Sequence, residues 1–455
     1  NVLPGAFETS FFLCLNGFSY ESPGDPRPML KNLILISADT LRFDALGCEP
    51  DTRFLERPGF SPSGRRETPA MDRLSGQGIH FNNCLTTAPY TTNSHASLLT
   101  GCWPWRHGIR PMLVSRRIGD GIPVLAERLK GAGFATLTAT GMPHIFNSER
   151  PDFRRGVDDF INMETHLLGQ NIPSVYDWIR THQTDRFFVF YHSTTIHDYI
   201  TPTTLQRSGA TAKLNPSDFY SEIRTIFSAP PPTQMALYLQ AVNHFDRTEI
   251  RPLLDFLETR KLMDSTLLVL LSDHGEPIRP GAAQHRDRLT GESLRVPVLL
   301  HAPGNIPGNR RIQDLVRLID VHPTVLHLLG LPPDRQTIDG QDLSPYWASE
   351  APPSPRMAYA EVAMHSTAEA EEQVLSRCVQ REDRKIVRSS KDATALYDLS
   401  EDFLETTPRA ATGDPLLAEL EAIIRSDRPL PSPEENATGP SRDVVERLRQ
   451  LGYLE

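Results

Sequence analysis

The sequence predicts an α/β fold with a large, helix-covered sheet and a smaller α+β unit near the carboxyl end. Three short apolar runs, residues 33–36, 187–191 and 267–271, are each followed at once by polar residues. Such runs are typical of buried parallel strands. At 455 residues the chain exceeds the size at which one hydrophobic core stops growing, so we expect a large domain plus an appendage.

Helical spacing of apolar residues separates the predicted strands. The clearest helix spans 235–261, where Tyr238, Val242 and Phe245 recur at helical intervals and Pro252 predicts a kink. Strand and helix therefore alternate, which is the order of βαβ units. In such sheets, ligands bind beyond the carboxyl ends of the strands.

Proline-rich segments and short patterns mark the rest of the chain. Residues 201–233 predict an active-site loop, and residues 351–355 predict a domain linker. The patterns after the linker are two strand-like pieces at 357–362 and 385–388, then helical stretches at 415–424 and 444–451. Together they predict the α+β appendage.

Charge and cysteine content restrict the function classes. The formal charge of −10 argues against broad binding of nucleic acid or anionic membranes, since both require a cationic face. No run approaches the roughly 18 apolar residues of a membrane span. The five cysteines show neither zinc-site nor disulfide-framework spacing, and their odd number fits a reducing compartment. We expect a cytoplasmic protein, although a start at Asn1 leaves open a removed leader.

Acidic motifs end two of the predicted strands. Asp39 follows the first run in ISADTLR, and Asp273-His274 follows the third in DHGE. A carboxylate at the carboxyl end of a parallel strand can hold a hard cation, and an imidazole adds a nitrogen donor. For Asp39 alone, a helix N-cap is the alternative role.

Thr91 lies in PYTTNSHASLLTG, just before a short apolar helical pattern. At a helix N-terminus, N–H groups and the helix dipole stabilise an anion and lower the cost of forming an alkoxide. The alternative is an ordinary capping residue, since threonine is favoured there.

Two histidines are candidates for acid-base chemistry. His197 lies just beyond the second apolar run, with His192 and Asp198 close by, and His285 lies in AQHRD. A histidine of near-neutral pKa can protonate a leaving oxygen or donate a hydrogen bond to a transferring phosphoryl group. A structural or surface histidine is the alternative for each.

Together these motifs resemble the sulfatase family of the alkaline-phosphatase superfamily. The matches run from Lys31 to the end and include TPAMDRLSGQGIHF, GESLRVPVLLHAPG and LVRLIDVHPTVLHLLG. The resemblance implies a large mixed, mainly parallel sheet sandwiched by helices, with a small C-terminal α+β subdomain. We therefore expect an N-terminal extension over 1–30, a catalytic domain over 31–347 and a C-terminal subdomain over 356–455.

The resemblance also implies roles for individual residues. Asp39, Asp273 and His274 become metal ligands, and Thr91 becomes the nucleophile that also contacts the metal. With mostly oxygen ligands and one imidazole, we expect Mn²⁺, Mg²⁺ or Ca²⁺ before Zn²⁺. Two-metal members need a further Asp-x-x-x-His element, and Asp246 lacks the histidine, so we expect a single metal ion.

His197 and His285 fall where the family holds the oxyanion and the leaving group. Two other family positions differ. Thr40 stands where a second Asp is common, and the usual Lys and His after the next strand have no clean counterpart in residues 138–144, where His144 is a possible substitute.

The largest departure surrounds the nucleophile. Sulfatases carry Cys or Ser followed by x-Pro-x-Arg, the signal for conversion to formylglycine. Here Thr91 replaces the Cys or Ser, Asn93 the Pro, and His95 the Arg. No formylglycine should form, and we place His95 among the catalytic residues.

A threonine nucleophile favours phosphate over sulfate. A sulfated formylglycine hydrate can eliminate sulfate, whereas a threonine sulfate would have to be attacked at sulfur. Threonine nucleophiles occur in phosphatase, phosphodiesterase and phosphoglycerol-transferase members of the superfamily. We expect a hydrolase or transferase acting on a small anionic phosphate mono- or diester. The alternatives are a sulfatase working without formylglycine and a pseudoenzyme that binds an anionic ligand or partner.

Overall fold

A computed structural model describes the chain from residue 29 to residue 427, with internal gaps. The gaps are 57–63, 111–117, 120, 147–150, 165–170, 202–203, 205–220, 222–224, 280–287, 332–335, 350–352, 355, 366–371 and 391–392. His285, the helical pattern at 444–451 and the N-terminal extension lie outside the described residues, as do most of the loop at 201–233 and most of the linker.

The main domain is built on a nine-stranded sheet. Its strands are β1 (Asn32–Ala38), β2 (Ile79–Leu85), β3 (Phe134–Thr140), β4 (Asp159–Asn162), β5 (Arg186–Ser193), β6 (Thr266–Leu271), β7 (Arg295–His301), β8 (Arg310–Ile312) and β9 (Val316–Arg317). Their order is β4-β3-β5-β1-β6-β7-β2-β8, with β9 also paired to β2. Strand β7 runs antiparallel to β6 and β2, whereas the other described pairings are parallel. The predicted mixed, mainly parallel sheet is confirmed.

The three apolar runs form the centre of this sheet. They become β1, β5 and β6, which lie side by side in the order β5-β1-β6 and in parallel register. Every residue of β1 and β6 is buried. The carboxyl ends of these strands therefore meet at one edge of the sheet.

Helices accompany the sheet along the chain. They are α1 (Pro69–Gln77), α2 (Thr91–Thr100), α3 (Pro104–His107), α4 (Leu125–Gly131), α5 (Pro143–Phe146), α6 (Ile172–His182), α7 (Pro231–Phe245), α8 (Arg251–Thr259), α9 (Gly291–Leu294), α10 (Val321–Leu328), α11 (Pro345–Ala348) and α12 (Pro415–Ser426). Alternate β1 residues enter different clusters, Leu33 and Leu35 one and Ile34 and Ile36 the other, so both faces are covered. Within the described ranges, no helix is long and apolar enough to cross a membrane.

The long helix predicted around Pro252 is interrupted. A π-helical turn, Asp246–Ile250, separates α7 from α8 just before this proline, which has no N–H to donate. The Asp246 carboxylate accepts the N–H groups of Ala70 at 3.1 Å and Met71 at 2.8 Å. Asp246 therefore supports the start of α1.

The C-terminal unit contains a five-stranded antiparallel sheet. Its strands are β10 (Met357–His365), β11 (Glu372–Arg381), β12 (Arg384–Ser389), β13 (Ala395–Asp398) and β14 (Arg409–Ala410). Helix α12 packs Leu416 and Leu420 against Val379 and Ile386 of this sheet. The predicted small α+β subdomain is confirmed, while the domain boundaries at 347 and 356 stay a prediction.

Candidate metal-binding active site

Polar residues converge where the central strands end. Asp39 directly follows β1, and its backbone N–H donates to the carbonyl of Ser193 at the end of β5, at 3.0 Å. Ser272 follows β6 and donates its hydroxyl to the carbonyl of Ala38 at 2.7 Å. These bonds fix the strand ends relative to one another, and they bring Asp273 to the same place as Asp39.

Asp39, Asp273 and His274 form a compact group with the donors that a divalent cation requires. One oxygen from each carboxylate and one ring nitrogen lie within 4.8 Å of one another. His274 Nε2 is 3.6 Å from Asp39 Oδ1 and 3.5 Å from Asp273 Oδ2. All three side chains are fully buried.

Two carboxylate oxygens of this group lack a hydrogen bond. Asp39 Oδ1 and Asp273 Oδ2 are buried, and no described residue donates a hydrogen bond to either. Burying charged oxygens in this way is unfavourable unless something else compensates the charge. The residues present therefore fit a divalent cation, which would occupy the space that these two oxygens share with His274 Nε2.

Thr91 lies beside this group. It is the first residue of α2, which is capped by Tyr90, and its hydroxyl donates to Asp39 Oδ2 at 3.4 Å. The capping alternative is wrong for Thr91, because Tyr90 occupies the N-cap position and Thr91 is already inside the helix. It is also wrong for Asp39, because the next helical turn begins at Phe43 and is preceded by Arg42.

His192 belongs to the site, although the sequence analysis assigned it no role. Its Nε2 is 3.3 Å from Asp39 Oδ2, and its Nδ1 is 2.9 Å from the hydroxyl of Thr140. A carboxylate can only accept, so Nε2 carries the proton and donates to Asp39. His192 thereby orients one carboxylate oxygen of Asp39, as supporting groups around metal sites commonly do.

His95 lies one helical turn after Thr91. Its Nδ1 is 2.8 Å from the carbonyl of Thr91, and its Nε2 is 2.9 Å from the hydroxyl of Ser37. Burial lowers the pKa of His95 to about 4. A neutral imidazole therefore donates from Nδ1 to the carbonyl of Thr91 and accepts at Nε2 from the Ser37 hydroxyl, at the position where the formylglycine signal has an arginine.

The geometry also assembles a second group, formed by His95, His192 and Asp273, whose ligand atoms lie within 4.8 Å of one another. The ring nitrogens of both histidines already make the hydrogen bonds described above. We therefore interpret these two histidines as supports for the site.

His197 is buried beyond the end of β5. Its Nδ1 is 2.7 Å from Asp198 Oδ1. Burial alone would lower the pKa of His197, but the negative charges of Asp39, Asp198 and Glu276 raise it to about 9. For Asp39, burial alone would raise the pKa, but the surrounding histidines, His197 foremost, hold it well below its usual range.

Thr40 and His144 are the two remaining residues that the sequence analysis singled out. Thr40 has a left-handed backbone with φ of 65°, and its hydroxyl donates to the carbonyl of Asp39 at 2.6 Å. A β-branched residue is uncommon in this region, where Asp is better tolerated. The Thr40 side chain thus takes no part in the carboxylate group. The side chain of His144 lies outside the described residues.

The signal that would have identified His192 is the strand register. Thr140, His192 and Ser37 lie opposite one another on β3, β5 and β1. Each is a polar residue near the carboxyl end of a buried strand. Because Asp39 follows β1 directly, this alignment places His192 within reach of Asp39.

Two family models match the chain. The model described as Sulfatase matches residues 31–331. The model described as N-sulphoglucosamine sulphohydrolase, C-terminal, matches residues 285–425. Together they cover both sheets described above.

A relative of known name agrees with this match. The N-acetylgalactosamine-6-sulfatase of Canis lupus familiaris is 27% identical over an alignment of 378 positions, which covers 73% of this chain and 68% of that protein. The chain thus spans only about two thirds of the relative's length.

Solved structures share the fold. The phosphonate monoester hydrolase of Agrobacterium radiobacter superimposes with a TM-score of 0.64 at 17% identity, covering 87% of this chain and 94% of the other. A 2-O GAG sulfatase superimposes with a TM-score of 0.62 at 15% identity, covering 94% of both chains.

Proposed function

Because this chain belongs to the sulfatase family, we propose that it is a divalent-metal-dependent hydrolase or transferase of phosphate or phosphonate esters, with unmodified Thr91 as its nucleophile. One observation carries the proposal. The hydroxyl of Thr91 donates to Asp39, whose other oxygen lies with Asp273 Oδ2 in a buried group without hydrogen-bond donors among the described residues. This is an environment for a cation and for an ionised hydroxyl.

Asp39, Asp273 and His274 would hold the cation. When bound, a divalent cation offsets the charge of both carboxylates, polarises an ester oxygen and lowers the pKa of a neighbouring hydroxyl. The chain itself adds the N–H groups of the first turn of α2, which have no acceptor within the helix. They favour negative charge at the end of the helix where Thr91 lies.

The proposed reaction has two displacements at phosphorus. In the first, the Thr91 oxygen, whose hydroxyl proton has been released to solvent, forms a bond to phosphorus while the bond to the leaving oxygen breaks, and that leaving oxygen takes a proton from His197. In the second, water or an acceptor alcohol attacks the phosphothreonine and gives its proton to His197, and the Thr91 oxygen departs with its electron pair. Water yields hydrolysis, and an alcohol yields transfer.

The proposed preference for phosphorus esters over sulfate esters follows from the chemistry of a threonine nucleophile. It has no second geminal hydroxyl, so a sulfated Thr91 could not collapse by elimination and would require attack at sulfur. The formylglycine signal is also incomplete at its last position, because His95 stands where that signal has an arginine. The sulfatases among the relatives support the rival proposal, a sulfatase that works without formylglycine.

A substrate panel tests the proposed reaction. Nitrophenyl phosphate, a nitrophenyl phosphodiester, a nitrophenyl phosphonate and nitrophenyl sulfate share one leaving group, so differences in kcat/KM report the transferred group. With Mn²⁺ we expect at least one phosphorus ester to be the best substrate. Faster turnover of the sulfate than of every phosphorus ester would favour the alternative, a sulfatase that works without formylglycine. No turnover by metal-loaded protein would indicate a pseudoenzyme.

His197 gives a prediction that depends on the leaving group. His197→Ala should lose roughly 10²- to 10⁴-fold in kcat/KM on alkyl esters, whose leaving oxygen needs a proton, and far less on nitrophenyl esters. The native rate on alkyl esters should fall as pH rises through the pKa of His197, because only the protonated ring can donate. This alkaline limb should be absent from the variant.

His327→Ala is the matched control, since His327 is a half-exposed histidine paired with Asp342. It should leave both rates unchanged. Equal losses on alkyl and nitrophenyl esters in His197→Ala would mean that His197 holds the phosphoryl group without protonating the leaving oxygen.

A further inference from the structure

We propose that the C-terminal subdomain positions the nucleophile, through a buried ion-pair network centred on Arg110. In this proposal Arg110, Tyr90 and Glu361 are positioning residues for Thr91. The proposal rests on Thr91 being the nucleophile. It adds that the reactivity of Thr91 depends on the antiparallel sheet of the C-terminal subdomain.

The first link joins Arg110 to the start of α2. Its backbone carbonyl accepts the hydroxyl of Tyr90 at 2.6 Å and the side-chain amide of Asn93 at 3.2 Å. Tyr90 caps α2 and Asn93 lies in its first turn, so these two residues flank Thr91. One carbonyl group thus holds the turn that presents the Thr91 hydroxyl to Asp39.

The second link joins Arg110 to the C-terminal subdomain. Its guanidinium forms two hydrogen bonds with Glu361 of β10, from Nε at 2.7 Å and from Nη2 at 2.6 Å. It forms two more with Asp427 just after α12, at 2.9 and 2.8 Å. Paired bonds of this kind fix the orientation of the guanidinium as well as its distance.

Strand β10 also contacts the same segment directly. The N–H of Ala363 donates to the Tyr90 hydroxyl at 3.2 Å, and the N–H of Glu361 donates to the carbonyl of Thr87 at 3.0 Å. The hydroxyl of Thr87 donates in turn to Asn93 Oδ1 at 3.0 Å. The residues before and after Thr91 are therefore attached to β10 by two routes.

This arrangement takes the place of a rigid proline that the formylglycine signal has and this chain lacks. Asn93 stands where the formylglycine signal has a proline, and its side-chain amide binds Arg110 and Thr87 instead. Because Tyr90 and Glu361 are buried, solvent cannot substitute readily for these partners. Loosening the network should misplace the attacking oxygen without removing any cation ligand.

Two mild substitutions test the proposal in the Mn²⁺-loaded protein. Tyr90→Phe removes the shared hydroxyl and keeps the ring. Asp427→Asn weakens one carboxylate contact of Arg110 and leaves Glu361 in place. We expect each to lower kcat on the best phosphorus ester by roughly tenfold to a hundredfold, because small displacements of a reacting group have effects of this size.

The same variants should keep KM and the calorimetric affinity for Mn²⁺ near the native values. A merely structural defect would disturb these quantities together with kcat. The double variant should lose less than the product of the two single losses, since both substitutions act through Arg110.

Glu419→Gln is the matched control. Glu419 lies on α12 and pairs with Arg381 at the end of β11, as Asp427 pairs with Arg377 of the same strand. It should keep native kcat. Native kcat in both Tyr90→Phe and Asp427→Asn, or an equal loss in Glu419→Gln, would overturn the proposal.

Thr91→Ala separates this inference from the proposed function. If Thr91→Ala is inactive while Tyr90→Phe and Asp427→Asn are native, only the positioning role is wrong. If Thr91→Ala stays active, the nucleophile assignment is wrong, and the positioning role is wrong with it.

Discussion

Replacing Thr91 with alanine is expected to reduce kcat on the best phosphorus ester by about 10³-fold or more, the scale at which removal of a catalytic nucleophile acts. The fold should survive, because the Thr91 hydroxyl makes one long hydrogen bond of 3.4 Å and does not cap the helix. Thermal unfolding and circular dichroism, measured beside steady-state rates, separate lost chemistry from lost structure.

Two further variants sharpen this result. Thr91→Ser should retain part of the activity, since the hydroxyl remains although the methyl group that restricts its rotamer is gone. Thr92→Ala removes the neighbouring buried threonine of the same turn and should remain active. Native turnover in Thr91→Ala would contradict the assignment of the nucleophile.

Removal of Asp39 or Asp273 is expected to abolish cation binding and turnover together. Each supplies a buried carboxylate oxygen without a hydrogen-bond donor among the described residues, so its loss leaves too few oxygen ligands. A ligand at a hundred times its Kd stabilises the folded state by about 2.7 kcal/mol. Mn²⁺ should therefore raise the unfolding temperature of the native protein but not that of Asp39→Ala or Asp273→Ala.

Asp246→Asn provides the comparison for these two variants. Asp246 is equally buried, but its oxygens accept the N–H groups at the start of α1. Without Mn²⁺, Asp246→Asn should have a lower unfolding temperature than the native protein. Addition of Mn²⁺ should still raise that temperature. Elemental analysis showing native metal content in Asp39→Ala or Asp273→Ala would remove those residues from the ligand set.

The sequence predicted the parts of the fold and site that depend on local pattern. Buried parallel strands are continuous apolar runs, and a polar residue after such a run lies at the sheet edge where ligands bind. Asp39 and Asp273 can be located at this edge from the apolar runs alone, without knowledge of the strand order. It also placed Thr91 at the start of a helix.

Features that depend on strand order and long-range contacts could not be read from the sequence. His192 becomes a neighbour of Asp39 only because β5 lies beside β1 in a particular register. Arg110 acquires its role from Glu361, a residue 251 positions away in a different sheet. The left-handed backbone at Thr40 likewise depends on its neighbours, since Tyr238 donates its hydroxyl to the Thr40 carbonyl at 2.8 Å.

Unmodified Thr91 is expected to carry the transferred group during turnover. The most direct measurement is peptide mass spectrometry of the protein quenched during turnover of a slow phosphorus ester. We expect the peptide containing Thr91 to carry the phosphoryl or phosphonyl group on that residue, and the resting protein to show an unmodified threonine there. An adduct on another side chain, or rapid turnover in Thr91→Ala with no adduct on the native protein, would contradict the claim.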